Sequence, residues 1–109
     1  MTTSKDQNRT NSPHEPRLRA EVESLGGLLL AFNPGSNKFY PNRLVLMPGG
    51  LMIFVETSTV PSTLSPGQQL QHNKLRRMDY TVLLGWTASD VDKIIAICRS
   101  YMGVLGEVV

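Results

Sequence analysis

Two short apolar runs on either side of Pro48-Gly49-Gly50 constrain the fold of this chain more than any other feature. The runs cover residues 43–47 and 51–56, and each has the length of a β-strand. A proline followed by two glycines is typical of a tight turn, because glycine adopts the positive φ angles that such turns require. The pattern predicts a β-hairpin in the middle of the chain.

The rest of the sequence adds helices and strands on both sides of this hairpin. Leu18, Val22 and Leu25 recur at helical spacing. Ser65-Pro66-x-Gln68 has the form of a helix-capping box, and Thr87-x-x-Asp90 can cap another helix. The predicted elements are a helix that ends at residues 26–27, strands at 28–32, 43–47 and 51–56, a helix at 66–78, a strand at 80–84 and a helix after residue 87. This order, α-β-β-β-α-β-α, predicts an α/β domain with a central mixed sheet of about four strands flanked by helices.

The size and composition of the chain suit a single domain. A length of 109 residues supports one hydrophobic core. Residues 1–13 are polar and lack apolar periodicity, so we expect a flexible tail there and the folded domain at residues 14–109. A single cysteine, Cys98, excludes a disulfide within the chain and suits a reducing compartment. No apolar run is long enough for a signal peptide or a membrane span, so we expect a cytoplasmic protein, or a nuclear one in a eukaryote, that is not secreted.

Polar residues stand at the open end of the predicted hairpin. Asn42 comes directly before one strand, Glu56 ends the other and Ser58 follows two residues later. In a hairpin the start of one strand lies beside the end of the next, so Asn42 and Glu56 are expected at a shared point. Taken alone, Asn42 is also typical of a turn and Glu56 of a solvated strand end.

Around these residues the sequence resembles the virus-type replication-repair nuclease (VRR-NUC) domain of the PD-(D/E)XK superfamily. Pro41-Asn42-Arg43-Leu44 is similar to that family's Pro-Asp-Arg-Leu, and Phe54-Val55-Glu56 to the strand that leads into its Glu-x-Lys. Further family segments are matched in the right order by Gly26-Gly27, Pro48-Gly49-Gly50 and Leu64-Ser65-Pro66-x-Gln68. The resemblance covers most of the predicted domain and implies a restriction-endonuclease-like core.

The resemblance also implies that the chemistry of the family has been lost here. In such nucleases two carboxylates bind Mg²⁺ or Mn²⁺, and a lysine orients the attacking water. Glu56 falls on the glutamate position, but Asn42 falls on the aspartate position and Ser58 on the lysine position. The implied catalytic remnant is Asn42, Glu56, Ser58 and Gln68, with Glu56 and Asn42 as a weak or absent metal site. We therefore expect no cofactor, or Mg²⁺ or Mn²⁺ if the chain is active.

Three residues on the helices have simpler interpretations. Gln68 suits the capping box of its own helix. His72 is expected on a helix surface, because no histidine or cysteine partner stands at metal-ligand spacing. Cys98 lies on the apolar face of the last helix and is expected in the core.

Several basic residues are candidates for contact with nucleic acid: Lys38, Arg43, Lys74, Arg76 and Arg77. The first two flank the predicted site, and the other three crowd the end of the second helix. A helix C-terminus also favours cations through the helix dipole, so phosphate contact and dipole matching both stay open for these three. The net charge of +2 is too small to decide between them.

The sequence leaves three classes of function open. The first is a catalytically degenerate nuclease-like protein of phage or mobile-element type that binds DNA or a protein partner, for example as an inhibitor of a host defence complex. The second is an active Mg²⁺- or Mn²⁺-dependent, structure-selective DNA endonuclease, and the third is a structural subunit.

We also expect a homodimer with no membrane contact. Its interface is expected to consist of apolar side chains left over from the core: Met47, Leu51, Met52, Tyr101 and Met102.

Overall fold

The computed structural model describes residues 12–35, 39–58 and 63–108. Its elements are α1 (Glu15–Ser24), β1 (Leu28–Ala31), β2 (Arg43–Leu46), β3 (Met52–Glu56), α2 (Pro66–Arg77), β4 (Thr81–Leu84) and α3 (Ala88–Val108). The predicted order of elements is confirmed, and each strand is one residue shorter than predicted. The tail predicted for residues 1–13 lies outside the described residues apart from its last two. Of these, Ser12 is buried and its carbonyl accepts a hydrogen bond from the Glu15 amide.

The strands form one mixed sheet in the order β1-β2-β3-β4. β1 pairs with β2, and β2 with β3, in antiparallel register. β4 joins β3 in parallel, with Glu56 beside Leu84. Because α2 connects β3 to β4, it carries the chain back over one face of the sheet, as a parallel crossover requires. Among the described residues β4 has no strand on its other side, so it is an edge of the sheet.

The turn of the central hairpin depends on glycine geometry. Gly49 and Gly50 have φ angles of 88° and 97°, and the Gly50 amide donates to the Met47 carbonyl. A Cβ atom on Gly49 would come within 2.5 Å of the Tyr101 hydroxyl. Glycine is therefore required here both by the backbone angle and by the close approach of α3.

The two faces of the sheet are covered by different helices. One face packs against α1 and α3 through Val45, Ile53 and Val55, which share a cluster with helix residues such as Leu18 and Ile94. The opposite face carries Leu44, Phe54 and Val82, which pack against Leu75 of α2. Strand residues alternate between the faces, so odd and even positions of the hairpin belong to different layers.

Both predicted helix caps are confirmed. In α2 the Ser65 hydroxyl accepts from the Gln68 amide while the Gln68 side chain accepts from the Ser65 amide. In α3 the Asp90 carboxylate accepts from the Thr87 amide, and the Thr87 hydroxyl accepts from the Asp90 amide. No helix in the described parts of the chain is long and apolar enough to cross a membrane.

The predicted interface residues have different environments. Met47 is only 5% exposed and belongs to the core, so its assignment to a surface interface is wrong. Leu51 and Tyr101 instead line an apolar groove of about 500 Å³ on the outside of α3, together with Ala96, Ile97, Ser100 and Val104. Met52 and Met102 are half-buried against the two core clusters.

Candidate functional site

The side chain of Asn42 is hydrogen-bonded to both backbone polar groups of Thr57. Its Oδ1 accepts from the Thr57 amide at 2.9 Å and from the Thr57 hydroxyl at 3.1 Å. Its Nδ2 donates to the Thr57 carbonyl at 3.2 Å. The backbone of Thr57 thus presents one N–H and one C=O to Asn42, and a side-chain amide has both the acceptor and the donor to match them; a carboxylate has no proton to donate. Asn42 therefore ties the start of β2 to the residue that follows β3.

Asn42 and Glu56 lie at the same end and on the same face of the hairpin. Arg43 is paired with Val55, so the antiparallel register continues to place Asn42 opposite Glu56. Strand alternation puts both on the α2 side of the sheet. The prediction that the hairpin brings these two residues towards a shared point agrees with this register.

Glu56 is held by a buried histidine from α2. Its Oε1 lies 3.2 Å from Nε2 of His72, and the two side chains are 8% and 0% exposed. Nδ1 of His72 is buried and has no hydrogen-bond partner among the described residues. A bare lone pair is less costly there than an unpaired N–H, so the imidazole carries its proton on Nε2 and donates it to the Glu56 carboxylate.

The expectation that His72 lies on a helix surface is wrong. The reason is that α2 turns this side chain inwards, onto the same face as Leu75. The sequence held a signal for this, because a residue three positions before a buried leucine shares its helix face. What the sequence did not show is that Glu56, on a different element, would provide the polar partner.

The other two residues of the predicted catalytic remnant, Ser58 and Gln68, have different places in the structure. Ser58 is half-buried and follows Glu56 by two residues, so it stays at this end of the hairpin. Gln68 lies one helical turn before His72, but its side-chain oxygen accepts from the Ser65 amide at 2.9 Å. The capping interpretation of Gln68 is therefore confirmed.

The donor atoms at this site do not fit a two-carboxylate cation site. Oδ1 of Asn42 already accepts two hydrogen bonds from Thr57, and Nδ2 is a donor that repels a cation. One oxygen of Glu56 is engaged by His72. Within residues 12–35, 39–58 and 63–108, no three His, Cys, Asp or Glu side chains are grouped to hold a metal ion.

Arg43 does not present its charge to solvent. It is 3% exposed; its Nε lies 3.1 Å from Oε1 of Glu15, and its Nη1 donates to the Asn42 carbonyl at 2.8 Å. The expectation that Arg43 contacts nucleic acid is therefore wrong, because this guanidinium is buried under α1 in an ion pair. Lys38, the other basic residue predicted to flank the site, lies outside the described residues.

The remaining basic candidates lie where they were expected. Lys74, Arg76 and Arg77 occupy the last turn of α2 and are exposed. Arg76 donates to the Asn73 side chain at 3.3 Å and to the Val82 carbonyl at 3.0 Å. Its guanidinium thus reaches from α2 to the open edge of β4.

Comparison with known proteins identifies the fold. No family model matches the sequence. The chain is 31% identical over 70 residues to "Putative nuclease p44" of Acyrthosiphon pisum secondary endosymbiont phage 1, which is 64% of this chain and 75% of that protein. A solved VRR_NUC domain superposes with a TM-score of 0.71 at 26% identity, covering 81% of this chain and 97% of that one. The chain belongs to the VRR-NUC family.

The VRR-NUC assignment confirms the resemblance inferred from the sequence and the PD-(D/E)XK-like core. That Glu56, Asn42 and Ser58 stand at the three chemical positions of the Pro-Asp and Glu-x-Lys pattern stays a prediction.

Proposed function

We propose that this VRR-NUC protein is catalytically degenerate and acts by binding DNA or a protein partner rather than by cutting. The observation that carries the proposal is the pairing of the Asn42 amide with the Thr57 peptide. Nδ2 of Asn42 donates to the Thr57 carbonyl, so a hydrogen-bond donor stands where an aspartate would place its second oxygen. The residue change is therefore built into the hydrogen bonding of the site and is more than the loss of one charge.

The electrostatics of the site support the same proposal. A hard divalent cation is favoured by anionic oxygen ligands, and here Glu56 is the sole carboxylate of the proposed remnant. Ser58 carries no positive charge to stabilise negative charge that develops on a phosphate. The loss of a lysine that takes part in proton transfer would cost a factor of about 10²–10⁴ in rate.

The setting we propose is a phage or another mobile element. It is supported by the similarity to a phage protein whose name describes a nuclease. One form of the proposal is an accessory factor on DNA, and the other is an inhibitor that uses the nuclease-like scaffold to bind a host defence complex.

The predicted homodimer stays a prediction. A strictly monomeric species in light scattering at high concentration would contradict it.

One observation favours a second candidate, an active Mg²⁺- or Mn²⁺-dependent endonuclease. Glu56 is a buried carboxylate with its own buried hydrogen-bond donor in His72, an arrangement that holds acidic ligands in place in metal enzymes. If Glu56 had no role, an apolar residue would cost less to bury at this position.

A cleavage and binding assay on branched and linear DNA separates these candidates. The wild-type protein is incubated with Mg²⁺, with Mn²⁺ and with EDTA, and product and bound fraction are measured together. We expect DNA to be bound, or a protein partner to be required, with no product above the EDTA control. Cleavage in Mg²⁺ that the Glu56→Ala variant abolishes would establish the enzyme instead.

A further inference from the structure

A cleft lies along the open edge of β4, one strand away from Glu56. It has a volume of about 240 Å³ and is lined by Arg76, Val82, Leu83, Leu84, Asp90 and Lys93. Leu84, which forms part of its wall, is the parallel partner of Glu56 in the sheet. Adjacent strands are about 4.8 Å apart, so the cleft adjoins the candidate site at the carboxyl ends of β3 and β4.

Two cations reach this cleft from opposite sides of the sheet. Arg76 comes from α2, which covers one face, and Lys93 comes from α3, which covers the other. Arg76 uses two of its nitrogens on Asn73 and on the Val82 carbonyl, which leaves its other N–H donors available. Lys93 is exposed and has no ion-pair partner among the described residues.

The acidic residue of the cleft offsets only part of these charges. Oδ2 of Asp90 accepts from the Trp86 amide at 3.0 Å and from the Thr87 amide at 3.1 Å. Its negative charge is therefore directed at the first turn of α3, where the helix dipole stabilises it. The cleft keeps a positive balance, with one planar guanidinium and one flexible ammonium.

Arg76 also makes the cleft a poor site for an added strand. An edge strand can recruit the strand of another chain through its free peptide groups. Here the Val82 carbonyl on the open edge is already taken by the Arg76 guanidinium. An incoming strand would have to displace that contact, whereas an anion would bind to the donors that the contact leaves free.

We propose that Arg76 and Lys93 form a binding cleft for a backbone phosphate of nucleic acid beside the Glu56 end of the sheet. The inference rests on the proposed DNA-binding function, and it specifies where one strand of the nucleic acid lies on the protein. Arg76 suits two-point contact with a phosphate, and Lys93 supplies a point charge from the other side. The phosphates of one DNA strand repeat about every 3.4 Å along the axis of the double helix. A DNA strand that passes Glu56 therefore reaches the cleft within a few nucleotides.

The test is the salt dependence of duplex binding, measured by fluorescence anisotropy with a labelled oligonucleotide. Each phosphate contact contributes about 0.9 to the slope of log K against log salt concentration. Lys93→Gln is compared with Arg99→Gln, which removes one positive charge from the same helix; Arg99 is ion-paired with Glu21 at 2.6 Å and lies outside the cleft. We expect a slope reduced by about 0.9 for Lys93→Gln and unchanged for Arg99→Gln.

Arg76→Gln provides a second measurement, with thermal unfolding to confirm that the edge of β4 stays folded. If the salt-dependence slopes of the wild type and Lys93→Gln are equal, the proposed phosphate contact in the cleft is overturned, while DNA binding itself is not. Equal reductions for Lys93→Gln and Arg99→Gln would mean a general charge effect and would also overturn it. A wild type that binds no duplex overturns both the cleft and DNA binding, whereas DNA cleavage that depends on Glu56 overturns only the degenerate-nuclease proposal.

Discussion

Nε2 of His72 lies 3.2 Å from Oε1 of Glu56, and the imidazole that makes this contact is completely buried. A carboxylate at the end of a strand is thereby fixed by a side chain that enters from the helix above it. His72 reaches no solvent, and among the described residues its polar contact with the site is the one to Glu56. It is a positioning residue, and its effect should appear first in stability.

We predict that His72→Leu destabilises the protein by about 1–3 kcal/mol, because it leaves a buried carboxylate without its donor. Urea unfolding measures the change. Glu56→Met and the double variant complete a double-mutant cycle, in which the two losses should not add. Purely additive losses would mean that the contact between Glu56 and His72 contributes nothing to the folded state.

The buried ion pair between Arg43 and Glu15 gives a second prediction. Arg43→Met should cost about 3 kcal/mol, at the low end for a broken buried pair, because Glu15 keeps a second contact with Arg19 at 3.3 Å. Arg19→Met is the control: it removes the half-exposed partner of the same carboxylate together with a hydrogen bond to the Leu29 carbonyl, and should cost less, about 1–2 kcal/mol. Similar losses for the two variants would contradict the different burial of these pairs.

Features set by neighbouring residues were predictable from the sequence. The hairpin turn at Gly49-Gly50 and the capping box of Ser65 and Gln68 depend on residues within one turn of each other, and both were found. The resemblance around Pro41-Asn42 and Glu56 added the family and the common end of the hairpin. Local chemistry and motif spacing thus accounted for the elements and for the place of the site.

Contacts between distant residues were not predictable in the same way. Arg43 pairs with Glu15 across 28 positions, and His72 meets Glu56 across 16. A charged or titratable residue in a sequence looks exposed until its partner is known, so both were assigned to the surface. The three hydrogen bonds between Asn42 and Thr57 also depend on where the chain after β3 passes, which no local pattern specifies.

Burial gives Cys98 a testable pH behaviour. Desolvation raises the pKa of this thiol above its usual value of 9.0. The unfolded chain therefore ionises first as pH rises, and the thiol's contribution to stability is lost progressively above about pH 9. We expect unfolding free energy to fall less steeply in that range for Cys98→Ala than for the wild type, and native Cys98 to react with iodoacetamide far more slowly than in urea. Rapid alkylation of the folded protein would contradict the buried placement.

The last prediction concerns Asn42→Asp. The change replaces the Nδ2 donor by an oxygen that faces the Thr57 carbonyl, and the atoms it joins are now 3.2 Å apart. Two oxygens at this distance repel each other without a proton or a cation between them, so the variant should lose about 1–3 kcal/mol in EDTA. Two adjacent ligands of an octahedral Mg²⁺ lie about 3.0 Å apart, given ligand distances of about 2.1 Å. The same substitution should therefore create a cation site, and its melting temperature should rise with added Mg²⁺ or Mn²⁺.

Three proteins make this measurement decisive. The wild type should melt at the same temperature in EDTA and in Mg²⁺, because the Asn42 amide already bridges to Thr57. Asn42→Ala is the control, since it loses the same hydrogen bonds without gaining a carboxylate, and should be destabilised but insensitive to metal. Only Asn42→Asp should recover stability with the cation, and it should do so whether or not DNA is cut. A wild type that Mg²⁺ stabilises as strongly as this variant would show that Asn42 and Glu56 still bind the ion, and the degenerate-site proposal would then be withdrawn.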